Sequence, residues 1–410
     1  MEGDMINLIR VYLSAVISLC YCYWIRKFVP SGTRRLLSVL PIICFYLFIP
    51  LNFSSVHLRG NIGFFFAWLA NFKLLLFAFD KGPLSADPSI SLGRFIAVAC
   101  LPIKIQQKQP PSQPPSSKTA QNNPRLLPSN PIQPHQNGKN PPPDPSQESK
   151  SFHFETDPSS ITPNTSCQSK QNSSPNYPSK GHHTPLLQYA IKGLLLAVLV
   201  KIYDYSDHIH PIVIMGMYCF HIYFMMEIIL AILAALARTM LGMELEPQFK
   251  DPLLSTSLQD FWGRRWNLMV TSILRPTVYE PTLKAAGNVV GPQWAPLPAV
   301  LGTFVVSGLM HELILYYMGR LEPTLRMTCF FVLHGLCLTA EIALKKTLTA
   351  RFRLPRFVSG PLTAGFVLAT CFWLFLPEFI RCRIDVKAFE EYAALGALVK
   401  NLTSSVRGFF

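Results

Sequence analysis

Apolar positions in this chain come in long blocks. Runs of about 18 residues or more fill Met5–Ile25, Leu36–Phe53, Asn61–Phe79, Leu186–Tyr203, Ile212–Ala237, Ala295–Met318, Leu325–Leu344 and Val358–Phe379. A helix crossing a bilayer needs about 20 such residues, so each block is a candidate span. A shorter amphipathic piece, Ser91–Ile103, fits a helix lying in the membrane interface. The pattern predicts an all-α fold, a polytopic transmembrane helical bundle of about eight spans. From about Gln106 to Pro185 the apolar blocks stop. That interval holds 17 of the 35 prolines and almost no aliphatic residues. Such a composition cannot bury enough apolar surface to offset its ordering entropy, so residues 105–185 are expected to form a disordered linker. Its Pro141–Pro143 patch reads as plain linker ahead of an SH3-type ligand. The expected organisation is therefore N-terminal spans over 1–104, the linker, a membrane core over 186–383 and a tail over 384–410.

Composition agrees. Of 410 residues only 15% are charged, and mean hydropathy is +0.26; soluble domains carry about 25% charged residues. The net charge of +14 does not point to nucleic acid, because the arginines sit in short loops between apolar runs, where they act as topology signals and phospholipid contacts. Arg26, Lys27, Arg34 and Arg35, the lysines of the linker, Arg238, Arg264 and Arg265, and the Lys345–Arg356 cluster all follow odd-numbered runs. The positive-inside rule then puts the N-terminus on the lumenal side and the linker and residues 255–276 in the cytosol. Eight spans leave the tail lumenal, with Phe389–Phe410 a candidate for re-entering the interface. Most of the ten cysteines lie inside apolar runs without CxxC or zinc-like spacing, so neither a disulfide framework nor a metal site is expected. The acidic start, MEGDMINLIR, without a small-residue cleavage site, predicts a retained anchor.

Two segments carry candidate chemistry. In STSLQDFWGRRWNLMVTSILRP (Ser255–Pro276), Ser257 followed by Asp260 fits a helix start and Pro276 a helix end. One continuous helix would put Asp260, Arg264, Asn267 and Thr271 on one face and Trp262, Trp266, Val270 and Ile273 on another. Asp260 and Arg264 would pair at i,i+4 for about 0.3–0.5 kcal/mol. An interfacial helix anchored by tryptophans and snorkelling arginines accounts for this segment; so does a helix whose Arg264 and Arg265 meet the phosphates of an anionic cosubstrate. The second segment, SGLMHE, lies within run six and aligns Ser307, Gly308 and His311 on one face. An ionisable residue inside a span is costly unless it faces a cavity or the bundle interior. His311 is thus either a structural hydrogen-bonder or a functional base. Glu312 points about 100° away from it. His334, in FFVLHGL of run seven, is the competing histidine, placed for the same cavity. HELIL is not HExxH, since Leu315 stands at the last position, and GxSxG, P-loop and GxGxxG motifs are absent. The histidines are too scattered for the boxes of di-iron desaturases, and His182–His183 falls in the linker. A lipid transporter or scaffold is the non-enzymatic alternative, though the two halves show no repeat.

FKDPLLSTSLQDFWGRRWNLMV, ILRPTVY, VVSGLMHELILYYM, FFVLHG and VSGPLT together resemble the plant wax synthase family, membrane-bound O-acyltransferases that esterify long-chain alcohols, or in some members sterols, from acyl-CoA. The resemblance covers about 1–104 and 186–383; the long linker departs from it. It implies a multi-pass protein, expected in the endoplasmic reticulum, with acyl-CoA and a lipophilic alcohol or sterol as partners and no cofactor. It puts the family's histidine on His311 and its asparagine on Asn267 as catalytic residues. Asp260, Trp262, Arg264, Arg265, Trp266, Ser307 and His334 are the expected substrate-binding residues. An imidazole in hydrogen-bond reach of an alcohol can take its proton as it attacks the thioester.

Overall fold

The computed structural model describes residues 2–101, 185–242, 247–347 and 354–407. The expected linker, Pro141–Pro143, His182–His183, Arg351 and Arg353 lie outside these. The helices are α1 (Glu2–Phe28), α2 (Thr33–Phe48), α3 (Val56–Ala78), α4 (Leu92–Cys100), α5 (Pro185–Ile202), α6 (Pro211–Leu241), α7 (Leu258–Asp260), α8 (Leu268–Leu274), α9 (Glu280–Val290), α10 (Pro296–Gly319), α11 (Arg326–Thr347), α12 (Arg356–Arg381) and α13 (Ile384–Arg407). No strand occurs among the described residues. Seven helices there are long and apolar enough to cross a membrane: α1, α2, α3, α6, α10, α11 and α12. The fourth apolar run forms α5. Side chains such as Ile17, Leu194 and Trp373 are at least 65% exposed, the inside-out arrangement of a protein whose solvent is lipid.

Polar side chains inside this bundle close helix ends. Lys73 of α3, fully buried, donates to the carbonyls of Val98 at 2.6 Å and Leu101 at 2.7 Å, capping the C-terminus of α4 where a cation is favoured. With Phe95, Val98 and Ala99 at 0% exposure, α4 docks one face on the bundle. Asp4 accepts from the backbone of Ser54 and Ser55 ahead of α3. On α13, Glu391 accepts from Ser55 Oγ, Val56 N and His57 Nδ1, and His57 Nε2 meets the Tyr392 hydroxyl at 2.9 Å.

The centre is the antiparallel pair α10–α11, joined by six residues. Glycine permits its close approach. A Cβ on Gly308 would stand 3.0 Å from Thr328 Cα and 3.1 Å from its carbonyl oxygen, and one on Gly335 would stand 2.7 Å from Phe304 Cβ. On the other flank of α10, Gly63 of α3 receives the Tyr317 ring, which a Cβ would meet at 2.9 Å. Glu312, buried, turns away from His311 and accepts from Leu325 N, Thr328 N and Thr328 Oγ1, closing the first turn of α11.

The segment 255–276 corrects the expected single helix. Ser257 does cap α7 by accepting from Asp260 N, and Asp260 Oδ2 accepts from Thr256 N. The chain then runs through a π-helical turn, Phe261–Arg265, and breaks at Trp266 (extended) and Asn267, whose φ of 40° is left-handed. Asparagine tolerates that conformation and restarts the helix, its Oδ1 accepting from Val270 N at the head of α8. Pro276 is likewise no terminator. It opens a second π-turn, Arg275–Tyr279, that feeds α9, because a proline in a first turn has no amide to lose. The wider π-turn also changes the ion pair. Asp260 pairs with Arg265, five residues on, at 2.8 Å, and not with Arg264.

Candidate active site

His311 lies fifteen residues into α10, ~22 Å along the helix axis at 1.5 Å per residue. Its Nδ1 is 2.7 Å from the carbonyl oxygen of Ser307. A carbonyl only accepts, so Nδ1 carries the proton, and in the neutral ring the Nε2 lone pair is left free. Nε2 has no partner among the described residues. The ring is held flat against Phe331 (centroids 4.1 Å apart, 28° between planes) and edge-on to Trp68 (5.0 Å, 78°). The half-buried His311 is thus a clamped imidazole with one open acceptor. Ser307 contributes its backbone, one turn earlier.

His334 differs. It is fully buried, and both ring nitrogens are occupied: Trp262 Nε1 donates to Nδ1 at 3.1 Å, and Nε2 donates to Thr370 Oγ1 at 2.8 Å. Thr370 passes its own proton to the carbonyl of Phe366. This fixes the tautomer opposite to that of His311 and leaves no nitrogen for a substrate. Both nitrogens of His334, one of the expected substrate-binding residues, are thus taken by protein, one of them by Trp262.

Trp262 joins the two faces of the π-turn. Its ring packs on Phe304 and Phe331, so Phe331 is shared by Trp262 and His311. On the other face, Asp260, Arg264 and Arg265 line a cavity of about 1100 Å³ together with Ser257, Gln259, Lys345, Arg356 and residues of the first turns of α12. Four cations surround it in unequal states. Arg265 is spent on Asp260 and on the carbonyls of Lys250 and Asp251. Lys345 is held by Glu341 and Gln259. Arg264 and Arg356 are exposed and have no partner among the described residues. Glu341 also closes α7 by accepting from Leu258 N.

Trp266 is half-buried. It stacks on Phe261 at 5.3 Å and lies near Tyr223 and Phe249. Asn267 is half-buried, and with Oδ1 facing Val270 N its side-chain NH2 is free to donate. No contact joins Asn267 to His311 directly. Met269 and Val270, just after Asn267, pack with Trp68, whose ring meets His311 edge-on. Phe331 and Trp68, which form the walls around His311, escaped the sequence reading. The available signal for Trp68 was its place in mid-run, since membrane tryptophans favour the interfaces. Among the described residues no His, Cys, Asp and Glu cluster could hold a metal ion.

Comparison with known proteins matches one family model to this region and several relatives to nearly the whole chain. The model of the membrane bound O-acyl transferase family matches residues 245–333, from the approach to α7 through α10 into α11. Acyl-CoA--sterol O-acyltransferase 1 of Arabidopsis thaliana is 43% identical over 394 residues, 96% of each chain. Probable long-chain-alcohol O-fatty-acyltransferase 1 of the same plant is 40% identical over 99% of this chain and 100% of its own. The long-chain-alcohol O-fatty-acyltransferase of Simmondsia chinensis is 38% identical over 96% of this chain and 95% of its own.

Proposed function

Since the chain belongs to the membrane bound O-acyl transferase family, we propose that it transfers a fatty acyl group from acyl-CoA to a long-chain fatty alcohol, making wax esters, with His311 as general base. The observation that carries the reading is the clamped ring of His311, whose Nδ1–H is given to the Ser307 carbonyl while Nε2 stays open. In the transfer, Nε2 takes the hydroxyl proton as the alcohol oxygen attacks the thioester carbonyl carbon. The carbonyl electrons move to oxygen and return, the carbon–sulfur bond breaks, and the departing thiolate takes the proton back from Nε2. Positioned base catalysis of this kind is worth about 10²–10⁴-fold. The free NH2 of Asn267 stabilises the carbonyl oxygen as it gains charge. Arg264 and Arg356 bind the phosphates of CoA in the basic cavity, while Arg265 and Lys345 hold its walls. Trp262, set by His334, carries the thioester arm from that cavity toward His311. Acyl chain and alcohol enter from the lipid. The protein resides in the endoplasmic reticulum membrane, with this cavity facing the cytosol.

A sterol acceptor is the second reading, favoured by the 43% identity to a sterol O-acyltransferase. The chemistry at His311 is the same. Microsomes from a host lacking neutral-lipid synthesis, given competing fatty alcohols and sterols, decide between them. Wax esters dependent on His311 support the first reading, and steryl esters alone replace it with the second. Ester formation that survives His311→Ala at equal protein level refutes the base.

A further inference from the structure

Beside His311 lies a hydrogen-bond donor with no assigned task. Trp68 belongs to a π-helical stretch of α3, Gly63–Ala70, a geometry that recurs at functional sites. Its ring is 1% exposed, and its Nε1 is among the buried polar atoms without a partner. A buried indole N–H left unpaired costs about 1–3 kcal/mol, and tryptophans in cores usually find an acceptor. Packing fixes this side chain. Phe64 meets it edge-on at 5.6 Å, and Met269, Val270 and Ile273 of α8 share its cluster. Its remaining aromatic neighbour is His311, at 5.0 Å and 78°.

We propose that Trp68 is a catalytic residue whose Nε1–H donates to the thioester carbonyl oxygen as it becomes an oxyanion, forming a two-donor hole with the NH2 of Asn267. This rests on His311 being the base. One acceptor for the alcohol proton, Nε2 of His311, and two donors for the acyl oxygen are then left without protein partners. Trp68 packs in one cluster with Val270, whose amide donates to Asn267 Oδ1, so the two donors are linked through one packed residue. A rigid donor aimed at developing charge in a water-poor site needs no reorganisation during reaction, which is why single donors of this kind are worth about 10²–10³ in turnover. The arrangement also explains a tryptophan in mid-span, where phenylalanine would pack as well without an N–H to satisfy.

The test is Trp68→Phe, which keeps an aromatic ring against Phe64 and His311 and deletes the donor. Steady-state ester formation by the full-length protein in microsomes is expected to lose about 10²-fold in kcat with KM for acyl-CoA changed little, while its melting temperature in detergent stays within a few degrees. Turnover within about twofold of wild type overturns the proposal. A raised KM or lowered melting temperature with kcat retained assigns Trp68 to packing and overturns it equally. His311→Ala, assayed alongside, separates the two ideas: activity surviving that change removes the base itself, whatever Trp68→Phe does.

Discussion

The two membrane histidines make opposite predictions under substitution. His334→Ala removes the acceptor of Trp262 Nε1–H, at 3.1 Å, and the donor to Thr370, at 2.8 Å, from a site with 0% exposure. Orphaning the indole N–H costs about 1–3 kcal/mol, and the void left by the imidazole adds a comparable amount. The loss should total about 3–5 kcal/mol. His334→Asn is milder, because its Oδ1 falls near the position of Nδ1 and still accepts from Trp262. It forfeits one hydrogen bond, about 0.5–1.5 kcal/mol. Catalysis should follow the same logic: His334→Asn keeps kcat within about tenfold, while His311→Ala loses about 10²–10⁴-fold with its fold intact. Thermal unfolding of detergent-solubilised protein and initial rates of ester formation at saturating substrates measure both quantities. A folded His334→Asn protein as inactive as His311→Ala would refute the reasoning that only His311 takes part in proton transfer.

Gly308→Ala drives a Cβ to 3.0 Å from the Thr328 backbone, so the α10–α11 pair must separate, costing about 1–3 kcal/mol and misplacing His311 against Phe331. Gly365→Ala, with nothing within 4 Å, should be neutral or slightly stabilising in the same melting assay. Arg264→Ala should raise KM for acyl-CoA and leave kcat near wild type, with a difference that shrinks as salt increases; an unchanged KM would remove Arg264 from the CoA site. Burial pushes the Glu391 carboxyl up, but the hydrogen bonds from His57, Ser55 and Val56 outweigh it and hold the group below its ordinary value. With the folded value depressed, its stabilisation is complete above the unfolded value of about 4.3 and is lost as pH falls through the folded one. Glu391→Gln should therefore flatten the acid limb of melting temperature against pH; an unaltered limb would show that the α13–α3 contact carries no proton linkage.

The legible part of this protein was whatever depends on composition over one or two dozen residues. Apolar block length located the helices of all eight expected runs, because a span must satisfy its backbone internally and face lipid with its side chains. The cap at Ser257 was legible for the same local reason, as was the isolation of His311 within an apolar run. The π-turn at Phe261–Arg265, the break at Asn267 and the shift of the Asp260 partner from Arg264 to Arg265 were not. They turn on one extra residue per helical turn, which side-chain periodicity does not announce. Nor could residue spacing tell apart the hydrogen-bonding states of His311 and His334, two imidazoles in similar apolar surroundings. Hydrogen-bond partners from other turns and other helices decide them. Ser307 leaves His311 one nitrogen free, whereas Trp262 and Thr370, 72 and 36 residues distant in the chain, leave His334 none.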